Sequence, residues 1–255
     1  MSITVEKSSI MNKKLKILLI VLAALAVIIA VAVVYLYSNG LSEIHNHSEA
    51  QKGQIKVACV GDSITYGHGV SGWAQNNYPA KLQEILGDGY HVQNFGHSGR
   101  TLSPDGDQPC TESAQYRKSL EYCPDILVFM LGTNGAKPEN RTNITDFYTY
   151  LDEMLKAYKE VNPDVKIYLC TPAKAFFVNG EGEGLTSFDI QPSVVDTVCT
   201  VTRTYAITPI SNIESLVDVY DLTKDHPEWF EADGVHPSKE GALAIAQLVA
   251  DKITK

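Results

Sequence analysis

The chain has 255 residues, of which 44% are hydrophobic and 20% charged, and its formal net charge is −9 at pH 7. This composition is typical of a folded protein and excludes a mainly disordered or collagen-like chain. The acidic balance argues against wholesale nucleic-acid binding, because that function needs a basic surface to neutralise phosphates.

The first predicted element is a transmembrane helix over Ile17–Leu36. This run contains no charged residue, and at about 1.5 Å per residue it would extend roughly 30 Å, enough to cross a bilayer core. Four lysines and one glutamate precede it, so the segment up to Tyr37 carries +3 whereas the rest of the chain carries −12. The basic flank predicts a single-pass membrane anchor with a cytoplasmic amino terminus and an extracellular remainder.

A cleaved signal peptide is the competing interpretation of this segment, and it would make the rest of the chain a secreted protein. The apolar core of a signal peptide is usually about 7–15 residues long, which is shorter than this run. The tripeptide Ala30-Val31-Ala32 could pass for a cleavage site, but it lies inside the apolar run. A buried core helix fits less well, since no polar face interrupts the run.

Four segments follow from this interpretation. Residues 1–16 are predicted to be a basic cytoplasmic segment and residues 17–37 a signal-anchor. Residues 38–54 are predicted to be a linker, because they are mostly polar and show little apolar periodicity. Residues 55–255 have the length of one folded domain.

Short apolar runs alternate with amphipathic segments along this domain. Strands are predicted over Ile55–Val60, Tyr90–Phe95, Ile126–Leu131, Val165–Cys170 and Leu216–Leu222, and helices over Tyr78–Leu86, Asn143–Val161 and Ser238–Ile253. Strands that alternate with helices favour a parallel sheet with helices on both faces, which is a three-layer α/β/α domain. The stretch Pro172–Pro209 predicts no clear element.

Polar motifs follow four of the predicted strands. They are Gly61-Asp62-Ser63, Gly96 within Asn94–Gly99, Gly132-Thr133-Asn134, and Asp233-Gly234-Val235-His236. In open parallel sheets, ligands bind beyond the carboxyl ends of the strands. We therefore expect these motifs to converge on one edge of the sheet.

The residue types in these motifs suit acyl transfer, which needs a nucleophile, a base and donors for the developing oxyanion. Ser63 is the predicted nucleophile and His236 the predicted base. Asp233, three residues before the histidine, is predicted to hold the imidazole. The backbone N–H of Gly96 and the side-chain amide of Asn134 are the predicted oxyanion donors.

Each motif also has a purely structural interpretation. Ser63 could be a helix cap, and Gly132–Asn134 could be ordinary turn chemistry. Asp233–His236 could be a surface turn before a capped helix. Their joint placement after successive strands favours catalysis.

The four motifs, in this order, resemble those of the GDSL-type or SGNH hydrolases, a family named after the Ser, Gly, Asn and His of its four blocks. The resemblance runs from about Lys56 to the carboxyl end, and includes Tyr78-Pro79 and Gly241-Ala242. It places the four residues on Ser63, Gly96, Asn134 and His236, with Asp233 as the triad acid and the Ser63 N–H as a further oxyanion donor. It implies a flavodoxin-like fold and ester hydrolysis without a metal or cofactor.

One position departs from the family pattern. The third block usually reads Gly-x-Asn-Asp, and Gly135 stands where the second Asp would be, although Asn134 is retained. Lost support around the Asn134 loop could lower activity.

The resemblance implies that the substrate is a small acyl ester, and an O-acetylated carbohydrate is the preferred candidate. Lysophospholipids or thioesters are alternatives within the family. A catalytically weak glycan-binding domain, supported only by Gly135, and an acyltransferase are alternatives of other classes.

Other chemistry is not favoured by the remaining motifs. No Gly-x-Ser-x-Gly motif occurs, so the lipase-type nucleophile elbow is absent. The acidic stretch Gly180–Gly184 is interpreted as a flexible loop. Metal binding is not expected, because no close Cys-x-x-Cys pair exists.

The five cysteines allow disulfide bonds in part. Cys59 is expected to be a buried thiol, and the other four cysteines allow three disulfide connectivities, of which a Cys110–Cys123 bond is the first expectation.

Overall fold

The computed structural model describes residues 16–31, 47–140, 143–177, 188–209 and 211–255. The chain divides into two compact units, Met1–Ile44 and His45–Lys255. In the first unit, residues 16–31 form helix α1.

The predicted transmembrane helix over Ile17–Leu36 is wrong. Among the described residues, no helix has both the length and the apolar character needed to cross a membrane. The predicted single-pass anchor, with a cytoplasmic amino terminus and an extracellular remainder, is therefore not supported. Residues 32–46, with most of the predicted linker, and the predicted loop Gly180–Gly184 lie outside the described residues.

A parallel sheet of five strands forms the centre of the second unit. The strands are β1 (Ile55–Gly61), β2 (Tyr90–Gly96), β3 (Ile126–Met130), β4 (Lys166–Cys170) and β5 (Ser215–Val217). Their order is β2-β1-β3-β4-β5, and every neighbouring pair is parallel. In this flavodoxin-like order the connections reverse direction between β1 and β3, which makes the carboxyl ends of these two strands the expected ligand site.

Helices join the strands and cover both faces of the sheet. They are α2 (Ser63–Tyr66), α3 (Trp73–Asn76), α4 (Tyr78–Leu86), α5 (Ala114–Glu121), α6 (Ile144–Val161), α7 (Pro192–Ala206), α8 (Val219–Thr223) and α9 (Lys239–Ile253). At the starts of α4, α6 and α9, the side chains of Asn77, Asn143 and Ser238 accept hydrogen bonds from backbone N–H groups. Such caps satisfy donors that a helix leaves unpaired at its amino end.

Successive side chains of the central strands point to opposite faces of the sheet, which divides the core into two layers. In β1, Val57 and Cys59 belong to the cluster that includes α4 and α9, whereas Ala58 and Val60 pack with α5, α6 and α7. All five residues of β3 are buried, because a strand covered on both faces has no solvent-exposed side. The second unit is therefore the three-layer α/β/α domain with a parallel sheet that the strand–helix alternation indicated.

The sequence analysis predicted none of the helices α2, α3, α5, α7 and α8, and it placed the end of β5 too late. The predicted strand Leu216–Leu222 stops at Val217, because Asp218 Oδ1 accepts the Asp221 N–H and begins α8. Helix α7 lies within the stretch Pro172–Pro209, where no element was predicted. Its valines and threonines favour strands by propensity, so burial of one helix face against the core decides its conformation.

The predicted Cys110–Cys123 disulfide is wrong, because all five cysteines are free. Cys110 is buried in the core with Leu102 and Tyr116. The Cys123 Sγ–H donates to the Val161 carbonyl oxygen at 3.4 Å. The two thiols therefore lie in different surroundings.

Candidate active site

Ser63 is the first residue of α2 and lies directly beyond the carboxyl end of β1. Asp62, and not Ser63, caps the helix, because its Oδ1 accepts the Ile64 N–H at 3.0 Å. The turn is tight: a Cβ atom at Gly61 would lie 2.1 Å from Thr65 Oγ1. The Ser63 hydroxyl is thereby presented at the edge of the sheet without a capping role.

A continuous chain of hydrogen bonds joins three of the predicted site residues. His236 Nε2 lies 2.9 Å from Ser63 Oγ, and His236 Nδ1 lies 2.9 Å from Asp233 Oδ2. Asp233 Oδ1 also accepts the backbone N–H groups of Val235 and His236 at 2.8 and 2.9 Å. The loop before α9 therefore holds the carboxylate and the imidazole in one geometry.

Electrostatics determine the tautomer of His236. Partial burial by itself raises the pKa of Asp233, but hydrogen bonds from the imidazole and from two backbone N–H groups outweigh it and lower the pKa to about 2. An ionised carboxylate can only accept, so His236 Nδ1 carries the proton. His236 Nε2 is then an acceptor for the Ser63 hydroxyl, which is the arrangement that removes a proton from a nucleophile.

The Asp62 carboxyl is a second acidic group near the imidazole. Burial raises the pKa of Asp62 to about 6, although the hydrogen bond from Ile64 and the electrostatic interaction with His236 both oppose this shift. These groups do not form a metal site. In the described part of the chain, no group of three or more His, Cys, Asp or Glu side chains is arranged to hold a metal ion.

Asn134 lies in the 3₁₀ turn Thr133–Ala136, just beyond the end of β3. One hydrogen of its amide is donated to the Arg100 carbonyl oxygen at 3.1 Å. The second amide hydrogen remains for a ligand, because an Asn side chain carries two N–H donors. That this second hydrogen stabilises an oxyanion stays a prediction.

The turn that carries Asn134 is supported although position 135 is a glycine and not an aspartate. No atom lies within 4 Å of the place where its Cβ would be. The turn is held instead by Asn140, whose Nδ2 donates to the Asn134 carbonyl oxygen at 3.2 Å and to Asp107 Oδ1 at 2.8 Å. An aspartate at position 135 is therefore not needed to place Asn134.

Gly96 does not present its N–H as predicted, because that group donates to Asn94 Oδ1 at 2.9 Å. Gly99 belongs to the same motif and has a φ of +78°. Its N–H has no hydrogen-bond partner among the residues described, and it directly precedes Arg100, the residue that Asn134 contacts. The spacing of the motif contains no signal that separates the two glycines.

Close packing explains why position 96 is glycine. A Cβ atom there would lie 2.2 Å from the backbone nitrogen of Tyr66, in α2. We expect Gly96→Ala to lower the free energy of unfolding by at least about 1–3 kcal/mol, because backbone atoms must move to make room. Thermal unfolding measures this change. Gly89→Ala is the matched control, since no atom lies within 4 Å of its Cβ position, and equal unfolding temperatures for the two variants would contradict the expectation.

Two aromatic side chains that the sequence analysis missed flank His236. The ring centroid of His68 lies 4.6 Å from that of His236. The ring of Phe188 lies 5.0 Å from that of His236 and nearly perpendicular to it, and its side chain is 42% exposed. Both residues lie outside the four motifs, so no spacing pattern points to them.

The sequence matches known proteins over most of the second unit. Residues 59–244 match the model of the GDSL-like lipase/acylhydrolase family. An acetylxylan esterase from Xylanibacter ruminicola is 33% identical over 219 residues, which cover 78% of this chain and 43% of that protein. The chain therefore spans less than half the length of this curated relative.

Solved structures share the fold. A carbohydrate acetylesterase from Sinorhizobium meliloti superposes with a TM-score of 0.60 at 19% identity, covering 79% of this chain and 99% of that one. A lipase/acylhydrolase from Enterococcus faecalis superposes with a TM-score of 0.58 at 22% identity, covering 78% and 95%. At these identities the likeness concerns the architecture and not the substrate.

Proposed function

The chain belongs to the GDSL-like lipase/acylhydrolase family, and from this premise we propose that it is a serine esterase that removes acetyl groups from O-acetylated carbohydrates. The observation that carries the proposal is the chain of hydrogen bonds from Ser63 through His236 to Asp233. The acetylated carbohydrate is supported by the relative from Xylanibacter ruminicola, an acetylxylan esterase.

In the first half of the proposed reaction, Ser63 Oγ forms a bond to the ester carbonyl carbon while its proton moves to His236 Nε2. The carbonyl oxygen becomes an oxyanion. When the tetrahedral intermediate collapses, the bond to the alcohol oxygen breaks and His236 Nε2 returns its proton to that oxygen. The alcohol leaves and the acetyl group remains on Ser63.

In the second half, water adds to the acetyl carbonyl carbon and gives one proton to His236 Nε2. Collapse of this intermediate breaks the bond to Ser63 Oγ, which takes the proton back. Acetic acid leaves and ionises in neutral solution. Asp233 stays ionised throughout and stabilises the imidazolium that forms in both halves.

Three donors are proposed for the oxyanion. The Ser63 N–H is at the first position of a helix and has no partner within that helix. The second amide hydrogen of Asn134 supplies another donor. We assign the third to the Gly99 N–H in place of Gly96, because the Gly96 N–H is bonded to Asn94.

Acetate release tests the proposal. The purified full chain is given an acetylated xylo-oligosaccharide, and chromogenic acetyl, butyryl and octanoyl esters are compared beside it. Release of acetate from the sugar, with rates that fall as the acyl chain lengthens, is the expected result. A preference for the octanoyl ester would replace the acetyl assignment with a long-chain hydrolase. Glycan binding without release of acid from any ester would overturn the esterase proposal.

Asn134→Ala is expected to lower kcat by a factor on the order of 10² to 10³, because one oxyanion donor is lost. KM is expected to change little, since this donor acts mainly on the charge that develops in the transition state. Steady-state kinetics on an acetyl ester measure both values. Gly135→Ala is the neighbouring control, because its side chain would enter open space. A loss of less than tenfold in kcat for Asn134→Ala would remove this residue from the proposed oxyanion site.

A further inference from the structure

The proposed chemistry determines which side of the site faces each half of the ester. His236 Nε2 returns its proton to the oxygen of the leaving alcohol, so the alcohol must lie beside the His236 ring. The carbonyl oxygen lies on the other side, toward Asn134 and Gly99. We therefore expect side chains that flank His236 to lie near the alcohol, which in the proposed substrate is a sugar.

His68 is held firmly on that side. The backbone N–H groups of Gly67 and His68 both donate to the Ser63 carbonyl oxygen at 2.9 Å. A Cβ atom at Gly69 would lie 3.7 Å from the Cβ of His236, so this loop packs directly against the imidazole. His68 is thus positioned by the same short helix that carries the nucleophile.

Phe188 completes this aromatic surface. Its ring lies 6.0 Å from the His68 ring and 5.0 Å from the His236 ring, and is nearly perpendicular to each. Beyond it in the chain, the Gln191 N–H donates to the Ala136 carbonyl oxygen at 3.1 Å. This bond ties the segment of Phe188 to the turn that carries Asn134. The 42% exposure of the Phe188 side chain leaves area for a ligand.

The chemistry of the pair suits a sugar ring. A pyranose presents C–H groups on its faces and hydroxyl groups at its edge. A phenyl ring offers an apolar surface of matching size, and an imidazole can donate to or accept from a hydroxyl. Binding sites commonly combine such aromatic surfaces with a few polar groups that orient the ligand.

We propose that His68 and Phe188 form an aromatic subsite that binds the sugar ring bearing the scissile acetyl ester. This proposal rests on the esterase function proposed above. It makes the two residues determinants of specificity for the alcohol half of the substrate, with no part in the proton transfers.

Kinetics of Phe188→Ala on two acetyl esters test the subsite. KM for an acetylated xyloside is expected to rise about tenfold, whereas kcat/KM for ethyl acetate, which has no ring, stays within about twofold. Phe188→Tyr, which keeps the aromatic ring, is expected to have the KM of the wild-type protein for the xyloside. Ile85→Ala is the control of similar exposure (37%), because α4 ends at the edge of the sheet where β2 begins, opposite the site. Equal losses on both esters would mean that Phe188 only positions His236, and would overturn the subsite.

A measurement of binding distinguishes failure of the subsite proposal from failure of the esterase proposal. In a Ser63→Ala background, Phe188→Ala and His68→Ala are each expected to raise the Kd for the acetylated xyloside about tenfold by calorimetry. An unchanged Kd in both would overturn the subsite even if the wild-type protein hydrolyses acetyl esters. If the wild-type protein hydrolyses neither ester, the esterase proposal fails, and this measurement alone decides whether the aromatic surface binds the sugar.

Discussion

Replacing Ser63 with alanine is expected to lower kcat for acetyl-ester hydrolysis by a factor on the order of 10⁶, the size of effect seen when a triad nucleophile is removed. The Ser63 hydroxyl donates to His236 Nε2, and no other atom at this position can form the acyl intermediate. The proposed oxyanion donors are not altered by this change, so a residual rate of roughly 10³ to 10⁴ over that in water is expected. Release of acetate by a stoichiometric excess of protein measures such slow turnover.

Ser119→Ala is the control for this change. Ser119 is also a buried serine with a side-chain hydrogen bond to its own helix and to Tyr158, but it lies in α5, outside the four motifs. Its kcat is expected to equal that of the wild-type protein. If Ser63→Ala kept more than about one hundredth of the wild-type kcat after repeated purification, Ser63 would not be the nucleophile.

Asp233→Asn is expected to lower kcat by about 10⁴ while the fold is retained. An amide at this position can donate to His236 Nδ1, and the proton of the imidazole then sits on Nε2. That tautomer cannot accept the proton of Ser63. Steady-state kinetics measure the loss, and a decrease of less than about tenfold would show that Asp233 does not control the tautomer.

The same variant has a pH-dependent effect on stability. The pKa of Asp233 is about 2 in the folded protein, against an ordinary value of 3.8. A carboxyl group with a lowered pKa stabilises the fold above its ordinary pKa, and this stabilisation is lost as the pH falls toward the folded value. The difference in unfolding temperature between wild type and Asp233→Asn should therefore be largest above about pH 4 and shrink toward pH 2. A difference that stays constant over this range would contradict the lowered pKa.

The sheet was predictable because its signals are local. Continuous apolar runs such as Ile126–Met130 indicate strands buried on both faces, and the first four strands were placed within one residue of their ends, whereas the fifth ends five residues before its predicted end. The resemblance to GDSL-type hydrolases is confirmed by the family match over residues 59–244. The prediction of a transmembrane helix over Ile17–Leu36 was wrong, because no helix among the described residues is long and apolar enough to cross a membrane.

The free backbone N–H groups of the site and the aromatic rings beside His236 were less predictable, because they depend on contacts between distant segments. The motif Asn94–Gly99 offers two glycines, and only the bond from the Gly96 N–H to Asn94 Oδ1 shows which N–H is occupied. The packing of His68 and Phe188 beside His236 joins three loops that are far apart in the chain.

The sequence by itself determined the order of the five strands, three of the helices (α4, α6 and α9) and the kinds of side chain that follow the strands, because periodicity and turn residues act over a few neighbouring positions. Only the tertiary structure decided that Ser63 and His236, 173 residues apart, share a hydrogen bond. It also decided which backbone donors stay unpaired and which aromatic rings surround the imidazole. These features arise when packing of the sheet brings separate loops to one edge, and no local pattern encodes the distances between them.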